Sequence, residues 1–319
     1  MAIEETPVQS ALEVARPIPD LAAEEFRLFQ VLVHRESGIH LGEKNRAMLV
    51  SRLWKRLRAL DLNSFSSYYR RVKGDPEELV RMLDCICTNE THFFREPAAF
   101  DCLRQHVFPE WRAAGEANER SRTLRVWSAA CSTGEEPYSL AMALLSEFPL
   151  SAGWNVEVVG TDLSTKVLAR AAAGIWSIEK IKGVPLEYQR KYLLKGFGPD
   201  KGKIKAVDEL RRVIRFQRMN LNQEPYPVSG PFDLIFCRNV IIYFQWETKL
   251  EVVNRLGRFL APNGYLFLGH AESLHGVTDK LHSVVPKVFR AQRPPLVRGG
   301  ALCILQRRDN GGRSNEASQ

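Results

Sequence analysis

The sequence has no long hydrophobic run, no secretory leader and no glycine-rich turn of the dinucleotide-binding type. A membrane-spanning helix needs about 20 consecutive apolar residues, and no segment approaches that length. The first residues, Met1 to Glu5, lack the basic start and apolar core of a signal peptide. Gly-x-Gly-x-x-Gly is absent, which argues against a nicotinamide dehydrogenase. These absences predict a cytoplasmic protein with no membrane insertion.

Cysteine is also sparse, with six scattered residues in a chain of 319. The closest pair, Cys85 and Cys87, has no second pair or histidine cluster beside it, so no metal site is predicted. Reduced thiols fit a cytoplasmic protein. The 45 Lys and Arg residues outnumber the 37 Asp and Glu residues and give a net charge of +8. This excess favours an acidic partner, and nucleic acid, anionic lipid and an acidic protein surface are all compatible with it.

Residues 124–139 have the pattern of a strand, a turn of small residues and a helix. Leu124 to Trp127 is a short apolar run, Ser128 to Gly134 has only small side chains, and apolar residues then recur at helical spacing. This pattern is the first unit of a doubly wound α/β sheet, in which ligands bind beyond the carboxyl ends of the strands. Glu135 and Glu136 stand where a phosphate would otherwise meet the helix N-terminus. Two carboxylates suit a ligand with a cationic end, such as S-adenosylmethionine.

A further carboxylate ends the next predicted strand, Val156 to Asp162. An acid at this position of a Rossmann-like sheet binds the ribose hydroxyls of a nucleoside. The alternative is that Asp162 only caps the helix that begins near Ser164. The small-residue turn upstream favours the ribose role.

The whole pattern predicts an α/β fold, with a Rossmann-like domain that carries a small antiparallel β insertion and follows an all-helical N-terminal domain. The insertion is indicated by the turn Gly196 to Gly202 and by the flanking β-like runs Lys203 to Val207 and Arg212 to Phe216. The predicted segments are a flexible lead-in at 1–20, a helical domain and linker at 21–105, the α/β domain at 106–294 with its insertion at about 175–215, and a disordered tail at 295–319.

Within the helical domain, Lys44 to Arg58 contains basic residues and no acid. One interpretation is a solvated face opposite a Leu and Trp core stripe. The other is a docking face for an acidic partner.

Several motifs, in order along the chain, resemble those of the CheR-type chemotaxis receptor methyltransferases. They are Asn89 to Arg95, Ser128 to Ser139, Gly160 to Asp162, Asn220-Leu221 and Phe236 to Tyr243. The resemblance implies a class I S-adenosylmethionine methyltransferase domain with a small β-subdomain. It also implies an activity, the methylation of glutamate carboxylates on the cytoplasmic helical bundle of chemoreceptors for sensory adaptation.

The resemblance also implies site residues. It places Arg95 and Tyr243 beside the transferring methyl group, so both are predicted as catalytic. Spacing alone leaves open whether Glu135 or Glu136 contacts the cofactor, and the resemblance favours Glu136. The predicted cofactor-binding residues are Asn89, Thr91, Arg95, Glu136, Asp162, Asn220, Leu221, Arg238 and Asn239.

Some members of this family hold a peptide tether at a receptor's C-terminus with the β-subdomain, and the turn Gly196 to Gly202 resembles theirs.

Two other functions compete with the methylation of chemoreceptors. A nucleic-acid methyltransferase fits the positive charge, but Asn239 to Tyr243 lacks the paired prolines of amino-methylating DNA enzymes. A non-catalytic cofactor-sensing module is disfavoured because every predicted contact position carries a residue that can make the contact an active enzyme needs. A chemoreceptor partner is therefore predicted, and nucleic acid is not.

Overall fold

The computed structural model describes residues 18–272 and 281–291. The predicted lead-in falls largely, and the predicted tail wholly, outside these ranges. No helix in the described ranges is both long and apolar enough to span a bilayer.

The N-terminal part is all helical, as predicted. Ser64 caps the third helix by accepting a hydrogen bond from the Ser67 amide at 3.2 Å, and Asp75 caps the fourth, which starts at Pro76. One apolar face of each helix packs into a common core around Phe29 and Leu53. The helices are α1 (Ala23–Ser37), α2 (Arg46–Ala59), α3 (Phe65–Gly74) and α4 (Pro76–Ile86).

A buried carboxylate joins three of these helices. Glu78 of α4 accepts hydrogen bonds from the Arg56 guanidinium of α2 at 2.9 and 2.6 Å and from the Tyr68 hydroxyl of α3 at 2.9 Å. Burial by itself raises the pKa of Glu78, but these hydrogen bonds hold that pKa below its ordinary value. Glu78 therefore remains ionised in the folded domain and ties part of the basic stretch to its core.

The C-terminal part is built on a seven-stranded sheet, with order β6-β2-β1-β7-β8-β10-β9. The first five strands in that order run parallel, whereas β10 is antiparallel to both β8 and β9. This is the predicted doubly wound arrangement, which brings the carboxyl ends of β1, β2 and β7 together. The strands are β1 (Thr123–Ala129), β2 (Asn155–Asp162), β6 (Ile214–Arg218), β7 (Phe232–Cys237), β8 (Leu260–Leu268), β9 (Leu281–Val285) and β10 (Val288–Ala291).

Helices cover both faces of this sheet, and alternate strand residues enter opposite core layers. Val126 and Phe236 pack in the layer with Leu144, whereas Trp127 and Cys237 pack in the other. A π-helical stretch at Leu103–Val107 connects α5 to α6. The helices of this part are α5 (Pro97–Cys102), α6 (Phe108–Glu116), α7 (Glu135–Glu147), α8 (Thr165–Ala173), α9 (Leu186–Tyr192), α10 (Asp208–Arg212) and α11 (Trp246–Arg258).

The predicted antiparallel insertion is present as a three-stranded sheet of order β3-β5-β4. Its strands are β3 (Ile175–Ser177), β4 (Leu193–Lys195) and β5 (Lys203–Ala206). The assignment of the run Arg212 to Phe216 to this insertion was wrong. Ile214–Arg218 pairs in parallel with β2 at the edge of the main sheet, because short alternating runs do not specify which sheet they join.

Candidate functional site

One cavity lies where β1, β2 and β7 end, and it encloses about 870 Å³ including its open mouth. The linker between the two domains and the end of α1 complete its wall. Every site residue predicted from the sequence lines it: Asn89, Thr91, Arg95, Glu136, Asp162, Asn220, Leu221, Arg238, Asn239 and Tyr243.

The turn after β1 sets the orientation of the two adjacent glutamates. Gly134 has φ +95°, and a Cβ there would lie 2.9 Å from the Ala171 Cβ, so this turn requires glycine. α7 begins directly after it. Glu136 lines the cavity, whereas the Glu135 carboxylate turns away and bonds Lys180 at 2.9 Å and the Thr133 hydroxyl at 2.6 Å. Of the two glutamates, Glu136 is the one that lines the cavity, and its contact with the cofactor stays a prediction.

The Glu136 carboxylate is held at both oxygens. Oε1 accepts from the Ser128 hydroxyl at 2.8 Å and Oε2 accepts from Arg238 at 3.1 Å. Its side chain is only 12% exposed. Burial raises the pKa of Glu136 above its ordinary value, and Arg238 and Ser128 offset that rise only in part. An added positive charge would stabilise the ionised form of this buried carboxylate. Glu136 therefore favours a ligand with a cationic group.

Asp162 does not cap the following helix. The N-cap of α8 is Ser164, whose side chain accepts from the Val167 amide at 3.4 Å. Asp162 instead accepts the Ser132 and Ser164 amides, one on each oxygen, at 2.8 and 2.9 Å. Burial raises the pKa of Asp162 despite these hydrogen bonds. A carboxylate has about four lone-pair sites, so Asp162 keeps acceptor capacity for a ligand hydroxyl.

The linker that carries Asn89, Thr91 and Arg95 is fastened to the sheet domain by its own backbone. The Asn89 carbonyl accepts from Ser132 Oγ at 3.0 Å, and the Thr91 carbonyl accepts from Lys180 Nζ at 2.5 Å. Arg95 uses one guanidinium N–H on the Glu90 carbonyl at 2.9 Å. The guanidinium has five N–H donors, so Arg95 keeps donors for a further group in the cavity.

Arg238 connects the linker to the cavity wall. Besides Glu136, it donates to the Arg95 carbonyl at 2.6 Å and to the Glu96 carboxylate at 3.0 Å. Glu96 also accepts from the Asn239 side chain at 2.9 Å. Arg238 therefore positions Glu136 and the linker. Sequence reasoning missed Glu96, which directly follows a recognised motif but carried no spacing signal of its own.

The helical domain contributes to the cavity as well, which the sequence did not indicate. Ser37 and Ile39, at and just beyond the end of α1, line the wall. The Asn220 amide donates to the Glu36 carbonyl at 2.5 Å, and Ile39 forms a β-bridge with Phe244. These contacts bring the end of α1 against the strand ends.

The comparisons with known proteins agree with this fold. Residues 24–87 match the all-alpha domain of the CheR methyltransferases, and residues 89–289 match their SAM-binding domain. The chain belongs to the CheR methyltransferase family. "Chemotaxis protein methyltransferase 2" of Pseudomonas aeruginosa is 36% identical over 83% of this chain and 92% of its own length. The "Chemotaxis protein methyltransferase" proteins of Escherichia coli and Salmonella typhimurium are 38% and 37% identical over 79% of this chain and 85% of theirs.

Family membership confirms the predicted fold class and identifies S-adenosylmethionine as the methyl donor. The residues of this CheR-family chain fit that donor. The buried Glu136 suits a cationic group, Asp162 suits ribose hydroxyls, and Leu221 and Met219 give the wall an apolar section. The individual roles of these residues remain predictions, since their placement around one cavity does not by itself assign a contact to each.

Proposed function

We propose that this chain methylates glutamate side-chain carboxylates on the cytoplasmic helical bundle of chemoreceptors, giving glutamate methyl esters. One observation carries the proposal: Arg95 and Tyr243 line the same cavity as the buried carboxylates Glu136 and Asp162. Buried carboxylates and a guanidinium with unused N–H donors in one cavity suit a cationic donor and an anionic acceptor. The enzyme works in the cytoplasm, where that part of a receptor lies.

S-adenosylmethionine, when bound, supplies a methyl group activated for transfer by its sulfonium. Glu136 binds the donor's ammonium group, and Asp162 binds its ribose hydroxyls. Arg238 keeps Glu136 in place, since its guanidinium is fully buried and bonded to two carboxylates. Asn89 and Thr91 contact the donor from the linker, and Asn220, Leu221 and Asn239 surround its adenosine. Seven of the nine predicted cofactor residues thus have a stated donor contact, while Arg238 supports Glu136 and Arg95 serves the acceptor.

The acceptor needs no general base. A glutamate has a pKa near 4.3, so at neutral pH it is already an anionic nucleophile. The enzyme has to orient it and exclude water. Arg95 offers its remaining donors to the acceptor carboxylate as charge-assisted hydrogen bonds. Tyr243, in the segment after β7, orients the reacting groups.

Part of the basic stretch from Lys44 to Arg58 faces the receptor. Arg46, Arg52 and Arg56 donate to the Leu21 carbonyl, the Ile86 carbonyl and the Glu78 carboxylate, so these three serve the domain's own structure. Lys44, Lys55 and Arg58 are exposed. Their charges remain available for an acidic, glutamate-bearing helical bundle. The proposed docking face therefore consists of Lys44, Lys55 and Arg58, and not of every basic residue from Lys44 to Arg58.

The small sheet provides a second contact for receptors that carry a C-terminal peptide tether. β4 is an edge strand of that sheet, and an extended peptide can pair with such an edge. Leu194 on β4 is 56% exposed and Phe197 just after it is 87% exposed. These side chains offer apolar contacts to the tether. A titration with a receptor C-terminal peptide should show saturable binding that a Leu194→Lys substitution weakens at least fivefold, and no heat or shift would exclude this contact.

The deciding experiment uses methyl-labelled S-adenosylmethionine and a chemoreceptor cytoplasmic fragment, followed by mild alkali. Carboxyl methyl esters release their label as methanol, and this is the expected result. Label that stays on nitrogen, or label found on added nucleic acid, would keep the fold and overturn the proposed reaction. A receptor fragment with its acceptor glutamates changed to Asp serves as the matched control, because it preserves charge and removes the substrate geometry.

A further inference from the structure

A buried carboxylate outside the cavity holds the segment that carries Tyr243. Glu272 lies beyond the end of β8, is 3% exposed and does not line the cavity. Its Oε1 accepts the backbone amides of Val240 and Ile241 at 2.9 and 3.0 Å, and its Oε2 accepts the Gly269 amide at 2.6 Å. One side chain therefore joins the turn after β7 to the end of β8.

The close approach of these two strand ends depends on Gly269. A Cβ at this position would lie 2.8 Å from the Asn239 amide nitrogen and 2.9 Å from Glu272 Oε2, and both distances are too short for a real side chain. Asn239 itself has φ +58°, a left-handed conformation that surrounding contacts must maintain. The turn from Asn239 to Tyr243 is thus fixed from outside the cavity.

Two carboxylates, Glu96 and Glu272, hold different parts of this turn. Glu96 holds the side chain of Asn239, whereas Glu272 holds the backbone from Asn239 to Ile241, where the short 3₁₀ turn Ile241–Tyr243 begins. Loss of Glu96 would therefore disturb cofactor contacts first. Loss of Glu272 would shift the backbone that leads to Tyr243, while Glu96 still holds the Asn239 side chain in the cavity wall.

We propose that Glu272 is a positioning residue for methyl transfer, which sets the place of Tyr243 by bonding the backbone amides of the preceding turn. This inference rests on the proposed function, since it assumes that Tyr243 acts at the reaction centre. Displacements near 1 Å at a reaction centre can cost about 100-fold in rate. The effect of Glu272 should therefore appear in turnover and should depend on Tyr243.

Glu272→Gln is the informative substitution because it preserves size. All hydrogen-bond partners of Glu272 named above are N–H donors, so the amide NH₂ group of Gln must face at least one of them. We expect turnover to fall at least about tenfold, while the Kd for S-adenosylhomocysteine, measured by calorimetry, changes less than about threefold. Unchanged turnover in a folded variant would overturn the proposal.

A double-mutant cycle separates positioning from general damage. In a Tyr243→Ala background, Glu272→Gln should lower turnover less than about twofold, because the residue through which it acts is already gone. In an Arg95→Lys background it should keep its full effect, since Arg95 lies on the linker. The inference would be refuted if Glu272→Gln lowered turnover by its full factor in both backgrounds. It would also be refuted if Tyr243→Ala alone left turnover unchanged.

Two controls keep the outcome interpretable. Wild-type transfer of label to the receptor fragment is measured first: its absence would refute the proposed function and the positioning role with it, whereas normal wild-type transfer with unchanged turnover in Glu272→Gln would refute the positioning role alone. If Glu272→Gln does not fold, Gly269→Ala replaces it in the cycle, since its added methyl group presses on the same carboxylate oxygen and the same turn. If Gly269→Ala also lowered turnover by its full factor in the Tyr243→Ala background, that result would equally contradict the proposal.

Discussion

Replacing Glu136 or Glu135 by glutamine tests the site most directly, because the two residues are adjacent in sequence and face opposite ways. Glu136→Gln removes the negative charge that lines the cavity and keeps the shape of the side chain. Glu135→Gln makes the same chemical change at a fully buried carboxylate that bonds Lys180 and Thr133 instead. Comparing the two variants therefore separates the effect of losing a carboxylate charge inside the cavity from the effect of losing one outside it.

The magnitude follows from the surroundings of Glu136. Its carboxylate is nearly buried, so a hydrogen bond from a ligand ammonium group to it contributes roughly 1.5–3 kcal/mol. At about 1.4 kcal/mol per factor of ten, Glu136→Gln should raise the Kd for S-adenosylmethionine roughly 10- to 150-fold. Glu135→Gln should change that Kd less than about threefold, but should lower the free energy of unfolding by roughly 1–2 kcal/mol because it leaves Lys180 without its buried partner.

Glu136→Gln should have little effect on stability. Burial holds the pKa of Glu136 above its ordinary value, which means that folding disfavours the ionised form. Above that pKa the charge lowers the free energy of unfolding, and a neutral glutamine avoids this cost. Arg238 keeps the Glu96 carboxylate and the Arg95 carbonyl as partners. The free energy of unfolding should therefore change by less than about 1 kcal/mol.

Binding should also depend on pH in a defined direction. Because the pKa of Glu136 is raised, wild-type affinity should decline as pH falls, beginning above pH 4.5, the ordinary value for a glutamate. Glu136→Gln should flatten this decline. Calorimetric titration between pH 5 and 8 with thermal unfolding of the same samples measures both effects. Equal losses of affinity in the two variants, or an unchanged Kd for Glu136→Gln, would refute the assignment.

Three further outcomes are expected. Arg95→Ala should lose most turnover and unfold at the wild-type temperature, and a wild-type rate in the methyl-transfer assay would exclude Arg95 from the reaction centre. Charge reversal at Lys44, Lys55 and Arg58 should raise the KM for the receptor fragment several-fold with an unchanged Kd for the cofactor, while unaltered kinetics would remove the docking face. Glu78→Gln should lower the free energy of unfolding at pH 7 by roughly 2 kcal/mol. The lowered pKa of Glu78 stabilises the fold above the unfolded value near 4.5, so denaturant titrations should show this difference shrinking as pH falls below 4.5, and a constant difference would contradict the linkage.

Local patterns predicted most of the elements on which the site depends. The run that ends at Trp127 became β1, the run that ends at Asp162 became β2, and the helix after Gly134 became α7. These elements were predictable because apolar periodicity and turn residues act over a few positions. The run from Arg212 was misassigned because its partner strand, β2, lies more than one helix away along the chain.

The sequence alone determined the order of the elements, the residue types at the strand ends and the kind of ligand that those residues suit. The tertiary structure decided which of two adjacent glutamates faces the cavity, that the end of α1 closes it, and that Glu96 and Glu272 support its wall. These features depend on contacts between distant residues. Arg238 reaches Glu136 across 102 positions, and Asn220 reaches Glu36 across 184. No local pattern encodes such pairings, because packing of whole elements fixes the direction in which each side chain points.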